Sequence, residues 1–275
     1  MSRRSIAVLV LAAFALTGCL SSATVETIET NAPVHQPSTF DHGDYSALLG
    51  DVVDARGYVD YAALVADPAP LDGYLRRLAA TDPVALPDAD RLAFWINVYN
   101  AYTLKLVADN YPVESVLDVV SGPFIPTVNS PFRVEFVTVG GETMTLDEVE
   151  HGIIRADFDE PRIHFAVVCA AQSCPPLRSE AYTGEALDAQ LDDQARTFLH
   201  DTSKNRVPAD QETVQLSKIL DWYADDFGGS DAAVQAFIAP YFDGEMRAAL
   251  EAGRYDVDHL GYDWSLNDTN TTDTP

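Results

Sequence analysis

The stretch DADRLAFWINVYNAYTLKLVADN, Asp88 to Asn110, most constrains what this chain can fold into. Wound as a helix, it carries Leu92, Trp95, Ile96, Tyr99, Tyr102, Leu106 and other apolar residues around most of its circumference. A helix that is apolar all round is a buried one, so the rest of the domain must pack around this segment. Asp88 or Asp90 stands where a cap is needed, and Tyr111-Pro112 ends the helix. Asn97 and Asn100, three positions apart on one face, go inside with it. A buried amide without partners costs about 1–3 kcal/mol. Each Asn therefore either ties the helix to a neighbouring loop or orients a catalytic side chain or a substrate carbonyl.

Around this helix the pattern predicts further elements. Phe132 to Val137 alternates partially and suggests a strand, with Gly140-Gly141 as a turn. Thr145 and Glu148 form a capping box at the start of a helix whose apolar side is Leu146, Val149, Ile153 and Ile154. RIHFAVVC, Arg162 to Cys169, suggests a strand buried on both faces. Thr183 to His200 has the spacing of an amphipathic helix. Ser217 can cap a short one, and two more are expected over Ala232–Ile238 and Glu245–Ala252. The expected class is α+β: a helix-rich single domain with a small mixed or antiparallel sheet.

The ends of the chain carry other information. MSRRSIAVLVLAAFALTGC has the charged start, short apolar run and small-residue end of an export signal. Its LTGC resembles a lipobox, which places cleavage before Cys19 and a lipid on that residue. The expected divisions are a signal over 1–18, a flexible tether over 19–42, a globular domain over 43–262 and a polar tail over 263–275. On this reading the protein is exported and held to the membrane by its lipid, facing outside the cytoplasm. The tail contains two N-glycosylation-type triplets, starting at Asn267 and Asn270.

The chain has 43 Asp and Glu against 17 Lys and Arg, a formal charge of -26. The acids are spread along its whole length, as expected where high salt screens self-repulsion. Nucleic acid is excluded as a partner, because phosphate binding needs a basic patch and none is visible.

Apart from Cys19 there are two cysteines, Cys169 and Cys174. In an oxidising compartment a pair tends to bridge, provided that Ala170 to Ser173 turns back sharply enough to bring the two Cα atoms together. The alternative is a nucleophilic thiol, which needs a lowered pKa and a nearby base. Strand alternation would point His164 and Cys169 to opposite faces. Cys174 escapes that argument, and a helical turn starting at Pro175-Pro176 would favour its thiolate. His151, beside Glu150 and near Asp147 and Arg155, is the better candidate base, though an ordinary helix histidine paired with Asp147 or Glu148 is the simpler reading. His164 suits a neutral core histidine. No nucleotide-binding or hydrolase motif is present, and C-x4-C without a second pair is a poor zinc signature. No cofactor is expected. The acidic run Asp221 to Asp231 lacks the EF-hand spacing and reads as solvated surface.

Four blocks occur in order: LAFWINVYNAYTL, FRVEFVTVGGETMTLDEVEHGIIR, PRIHFAVVCAAQSCPPLRSEAYTGEALDAQLDDQARTFL and VQLSKILDWYADDF. Together, from about Arg91 to Phe227, they resemble the family called domain of unknown function 547. The resemblance marks Asn97, Asn100, Glu150, His151, His164, Cys169, Cys174, Pro175 and Arg178 without assigning them roles. Three functions follow. One is a thiol enzyme for acyl transfer or amide hydrolysis, with Cys174 or Cys169 as nucleophile, His151 as base and Glu150, Asn97 or Asn100 as orienting group. The second is a module for a small molecule or peptide, stapled by a Cys169–Cys174 bridge, with Arg178 and His164 as ligand contacts. The third is thiol–disulfide exchange.

Overall fold

The computed structural model describes residues 25–28, 32–120, 130–208 and 212–270. The export segment, Cys19 and the last residues of the chain lie outside them. Helices α1 (Gly43–Val52), α2 (Tyr61–Ala66) and α3 (Ala69–Ala79) precede the apolar helix, which becomes α4 (Asp88–Ala108). Every residue of α4 from Leu92 to Val107 is buried. Its one buried lysine, Lys105, is neutralised by Asp109 at 2.6 Å and Asp72 at 3.4 Å. Neither Asp88 nor Asp90 caps α4. The N-cap is Pro87, and both aspartates lie in the first turn, where they complement the helix dipole instead.

Strands β1 (Val137–Val139) and β2 (Glu142–Met144) form an antiparallel hairpin. Gly140 and Gly141 turn it with φ of 61° and 82°, the pair of positive angles that a two-residue turn of this hand requires. The strand expected from Phe132 starts only at Val137. Pro131 fixes a 3-10 turn over Pro131–Arg133, and the Ser130 hydroxyl accepts the Phe132 N–H. The Thr145/Glu148 capping box forms in both directions, at 2.8 and 3.0 Å. It opens a π-helix, Glu148–Ile154, which continues into the single turn α5 (Arg155–Asp157).

Arg162 to Cys169 is not a strand. Pro161–Phe165 is a 3-10 helix, with the Glu160 carboxylate accepting the Arg162 N–H, and the chain beyond it is irregular. The run is buried as expected, but a short apolar run does not distinguish a strand from other buried backbone. Here Pro161 and the Glu160 cap start a helical turn, and α4 supplies the hydrogen bonds that a neighbouring strand would have given.

Helix α6 (Leu187–His200) begins later than Thr183, because the Gln190 side chain takes the Thr183 N–H. Then follow β3 (Thr213–Leu216), α7 (Lys218–Trp222), α8 (Asp231–Ile238), α9 (Gly244–Glu251) and β4 (Asp256–His259). Ser217 caps α7 by accepting the Ile219 N–H, and β3 pairs with β4 in parallel. The result is a helix-rich α+β domain with two small sheets. One core surrounds α4; a second gathers Phe165, Phe198, Leu216, Phe227 and Ile238.

Residues 263–270, where the sequence suggests a polar tail, pack along the domain. Leu266 is buried, and its N–H donates to the Glu114 carbonyl. Asn267 is also buried and accepts from the Tyr61 hydroxyl. At the other end, His35 exchanges backbone hydrogen bonds with Ala80 and Asp82. Among the described residues no helix is long and apolar enough to cross a membrane.

Candidate functional site: a disulfide-walled aromatic pocket

Asn97 and Asn100 are 1% and 3% exposed, and both are loop ties. Asn97 donates to the Tyr182 carbonyl at 2.7 Å and accepts its N–H at 2.9 Å. Asn100 does the same for two different residues, donating to the Ala166 carbonyl and accepting the Val168 N–H, each at 2.9 Å. Neither amide lines the pocket described below. Asn100 instead fixes the backbone that leads into Cys169.

Cys169 and Cys174 are bridged, with Cα atoms 6.2 Å apart. The sharp reversal this needs comes from Ala170, whose φ of 64° is rare for a residue with a side chain. Outside contacts hold the loop in that form. Gln172 and Ser173 donate backbone N–H groups to the carbonyls of Ser265 and Asp263, and Asn267 donates to that of Ala170. Gly57, with φ +79°, lies directly against Pro176, so that a side chain there would collide with it. No helix starts at Pro175-Pro176; the chain there is irregular.

The bridge forms part of the wall of a cavity of about 500 Å³ between the two cores. The helix-dipole argument for a Cys174 thiolate lapses with the missing helix. The parity argument against His164 and Cys169 lapses with the missing strand, and both residues line this cavity. Glu150 and His151 reach it from the π-helix; Tyr99 reaches it from α4. Trp222 and Tyr223 come from the end of α7, and Tyr262 and Trp264 from the C-terminal segment. Tyr262 packs against both tryptophans, with ring centroids 4.8 Å from Trp222 and 4.6 Å from Trp264, and the tryptophans stack on each other at 6.1 Å.

Glu150 is 7% exposed. The Tyr223 hydroxyl donates to it at 2.6 Å, and the Tyr99 hydroxyl also hydrogen-bonds it. Burial first, and then the Glu150 charge, push both tyrosines well above the usual phenol range. They therefore stay protonated as donors. Among the described residues Glu150 has no ion-pair partner.

His164 is 2% exposed and stacks on Tyr223 at 3.9 Å. Its Nε2 donates to Asp226 at 2.6 Å, and Arg155 grips the same carboxylate through two bonds of 2.7 Å. The Arg155 bonds hold the Asp226 pKa down, at about 2. Burial lowers the His164 pKa, leaving the ring neutral with Nδ1 as acceptor. That Nδ1 is buried and, among the described residues, has no hydrogen-bond partner.

His151 is placed differently. Arg155 donates to its Nδ1 at 3.0 Å, and Asp147 lies 3.8 Å from Nε2. A neutral imidazole has one accepting nitrogen, and here the guanidinium occupies it. Arg178 is outside the cavity, paired with Glu180 at 2.8 Å and Asp193 at 2.6 Å. Among the described residues no group of three or more His, Cys, Asp or Glu could hold a metal.

The sequence reading missed Tyr223, Tyr262, Trp222, Trp264 and Asp226. Asp226 belongs to the run taken for solvated surface, yet it anchors His164 and Arg155. The available signals were two clusters, Trp222-Tyr223 and Tyr262-Asp263-Trp264, in otherwise acidic stretches.

Fold and site together define a helix-rich α+β domain built on one buried helix, with an aromatic pocket walled by a disulfide. Residues 83–199 match the family model described as Protein of unknown function, DUF547. The matched stretch holds Glu150, His151, His164 and both cysteines; the wall from Ile219 to Trp264 lies beyond it. Comparison with curated proteins and with solved structures found no match.

Proposed function

We propose that this domain is a binding module for a small organic cation, an amine or ammonium group carried on a compact apolar body. The observation that carries the reading is Glu150: a buried carboxylate on an aromatic-walled cavity, held by hydroxyl donors and lacking an ion pair among the described residues. A cation supplied by a ligand would complete it, and aromatic faces attract the same charge. The unpartnered His164 Nδ1 is a second acceptor in the lining, suited to a hydroxyl or amine hydrogen elsewhere on the same ligand. Arg133 and His151 are already engaged by Asp147 and Arg155. The thiol-nucleophile reading has less support, because both sulfurs are bonded to each other.

The same reading places the module outside the cytoplasm on a lipid at Cys19, on the strength of the N-terminal pattern. Cys19→Ser should then move the protein from the membrane to the soluble fraction; retention in the membrane would refute the anchor.

The pocket is tested by titrating the tryptophan fluorescence of the folded protein with choline and with its neutral isostere 3,3-dimethylbutanol. Choline should saturate at least tenfold more tightly, and Glu150→Gln should abolish the difference. Equal affinity for the two would refute the cation reading.

A further inference from the structure

The bridge is asymmetric, and the asymmetry has the form of a reaction. Cys169 is half-buried and faces the cavity; Cys174 also touches the lining but is only 2% exposed. The Tyr262 hydroxyl lies 3.1 Å from Cys169 Sγ and 3.2 Å from Cys174 Sγ. A bridged sulfur has no hydrogen to give, so Tyr262 is the donor, its one hydrogen shared between the two sulfurs. Cys174 Sγ receives a second hydrogen bond, from the Cys169 backbone N–H at 3.1 Å. The buried sulfur is thus the better prepared to carry negative charge, and the accessible one is the better placed to be attacked. Exchange is fastest when the attacked sulfur is reachable and the leaving thiolate is stabilised. A staple that only closes a loop needs neither feature.

We infer that Cys169–Cys174 is an exchangeable disulfide that oxidises dithiols entering the pocket. The thiolate of the dithiol bonds to Cys169 Sγ as the Cys169–Cys174 bond breaks, and the electron pair of that bond goes to Cys174 Sγ. The hydroxyl of Tyr262 and the N–H of Cys169 stabilise the new thiolate. The second thiolate of the dithiol then attacks its own sulfur in the mixed disulfide and releases Cys169. The dithiol loses two electrons and two protons; the two cysteines take up both. Nothing in this scheme depends on the pocket binding a cation.

The test is reduction of the folded protein by dithiothreitol, followed by alkylation and mass analysis, with near-ultraviolet circular dichroism as the check on folding. Both thiols should appear while the fold persists, and Tyr262→Phe should slow their appearance at least tenfold. Cys174→Ser leaves Cys169, which should form a mixed disulfide with oxidised glutathione at least tenfold faster than the Cys174 left in Cys169→Ser. If a single-cysteine variant does not fold, the adduct is mapped instead on wild-type protein quenched with acid during reduction. An adduct on Cys169 supports the inference. An adduct on Cys174, equal reactivity of the two, or reduction no faster than global unfolding would overturn it. Choline binding, measured separately, reports on the cation reading whichever way this result falls.

Discussion

His42 shows how a single residue ties stability to pH. It is buried, and its Nδ1 accepts from the Tyr74 hydroxyl at 2.7 Å and lies 3.2 Å from the amide of Asn97. Both neighbours offer hydrogens, so a proton on Nδ1 would face two donors. Burial, reinforced by Arg77 and partly opposed by Asp41, lowers its pKa from 6.5 to about 4. The unfolded chain takes up this proton first as pH falls, so stability is full above about pH 6.5 and declines towards pH 4. The loss attributable to His42 is about 2 kcal/mol by roughly pH 5. Burial lowers the His164 pKa as well, which adds a loss of the same sign. Urea unfolding at pH 7.5 and pH 5 should show the decline, and His42→Gln should flatten it; an unchanged slope would refute the assignment.

At the scale of elements, the decisive joint is between α4 and the irregular chain that follows Phe165. Asn100 substitutes there for a neighbouring strand, satisfying one carbonyl and one N–H. Asn100→Ala would leave both buried groups unpaired, at a cost of about 2–6 kcal/mol, and would loosen the approach to Cys169. Chemical denaturation measures the first effect; faster reduction of the bridge would report the second. A loss below about 1 kcal/mol would mean that water replaces the amide. The helix was legible in sequence because its apolar residues cover most of its circumference, and the burial of its asparagines followed. The strand expected over Arg162–Cys169 was not, because burial there comes without a repeating backbone partner. The π-helix carrying Glu150 and His151 was also hidden, since its capping box looks the same as that of an α-helix. Much of the pocket wall was out of reach for another reason: Tyr262 lies 93 residues from Cys169 and 88 from Cys174, and no local pattern records such pairings.

For the molecule as a whole, the charge of -26 sets the working conditions. Like charges spread over one surface repel, and the compact state bears more of that repulsion than the unfolded chain. Screening should therefore raise the thermal midpoint steadily between low salt and molar potassium chloride. A flat or falling midpoint would remove the salt-adaptation reading. The same acidity raises the local concentration of cations near the pocket, so choline binding should weaken as salt rises. Charge, however, says little about assembly, and the C-terminal segment has a consequence of another kind. Tyr262 and Trp264 complete the pocket wall, and residues 263–267 hold the cysteine loop in place. During synthesis α4 and both cysteines exist well before that segment does. The pocket wall, and the hydroxyl beside the bridge, are therefore complete only when this last strap docks.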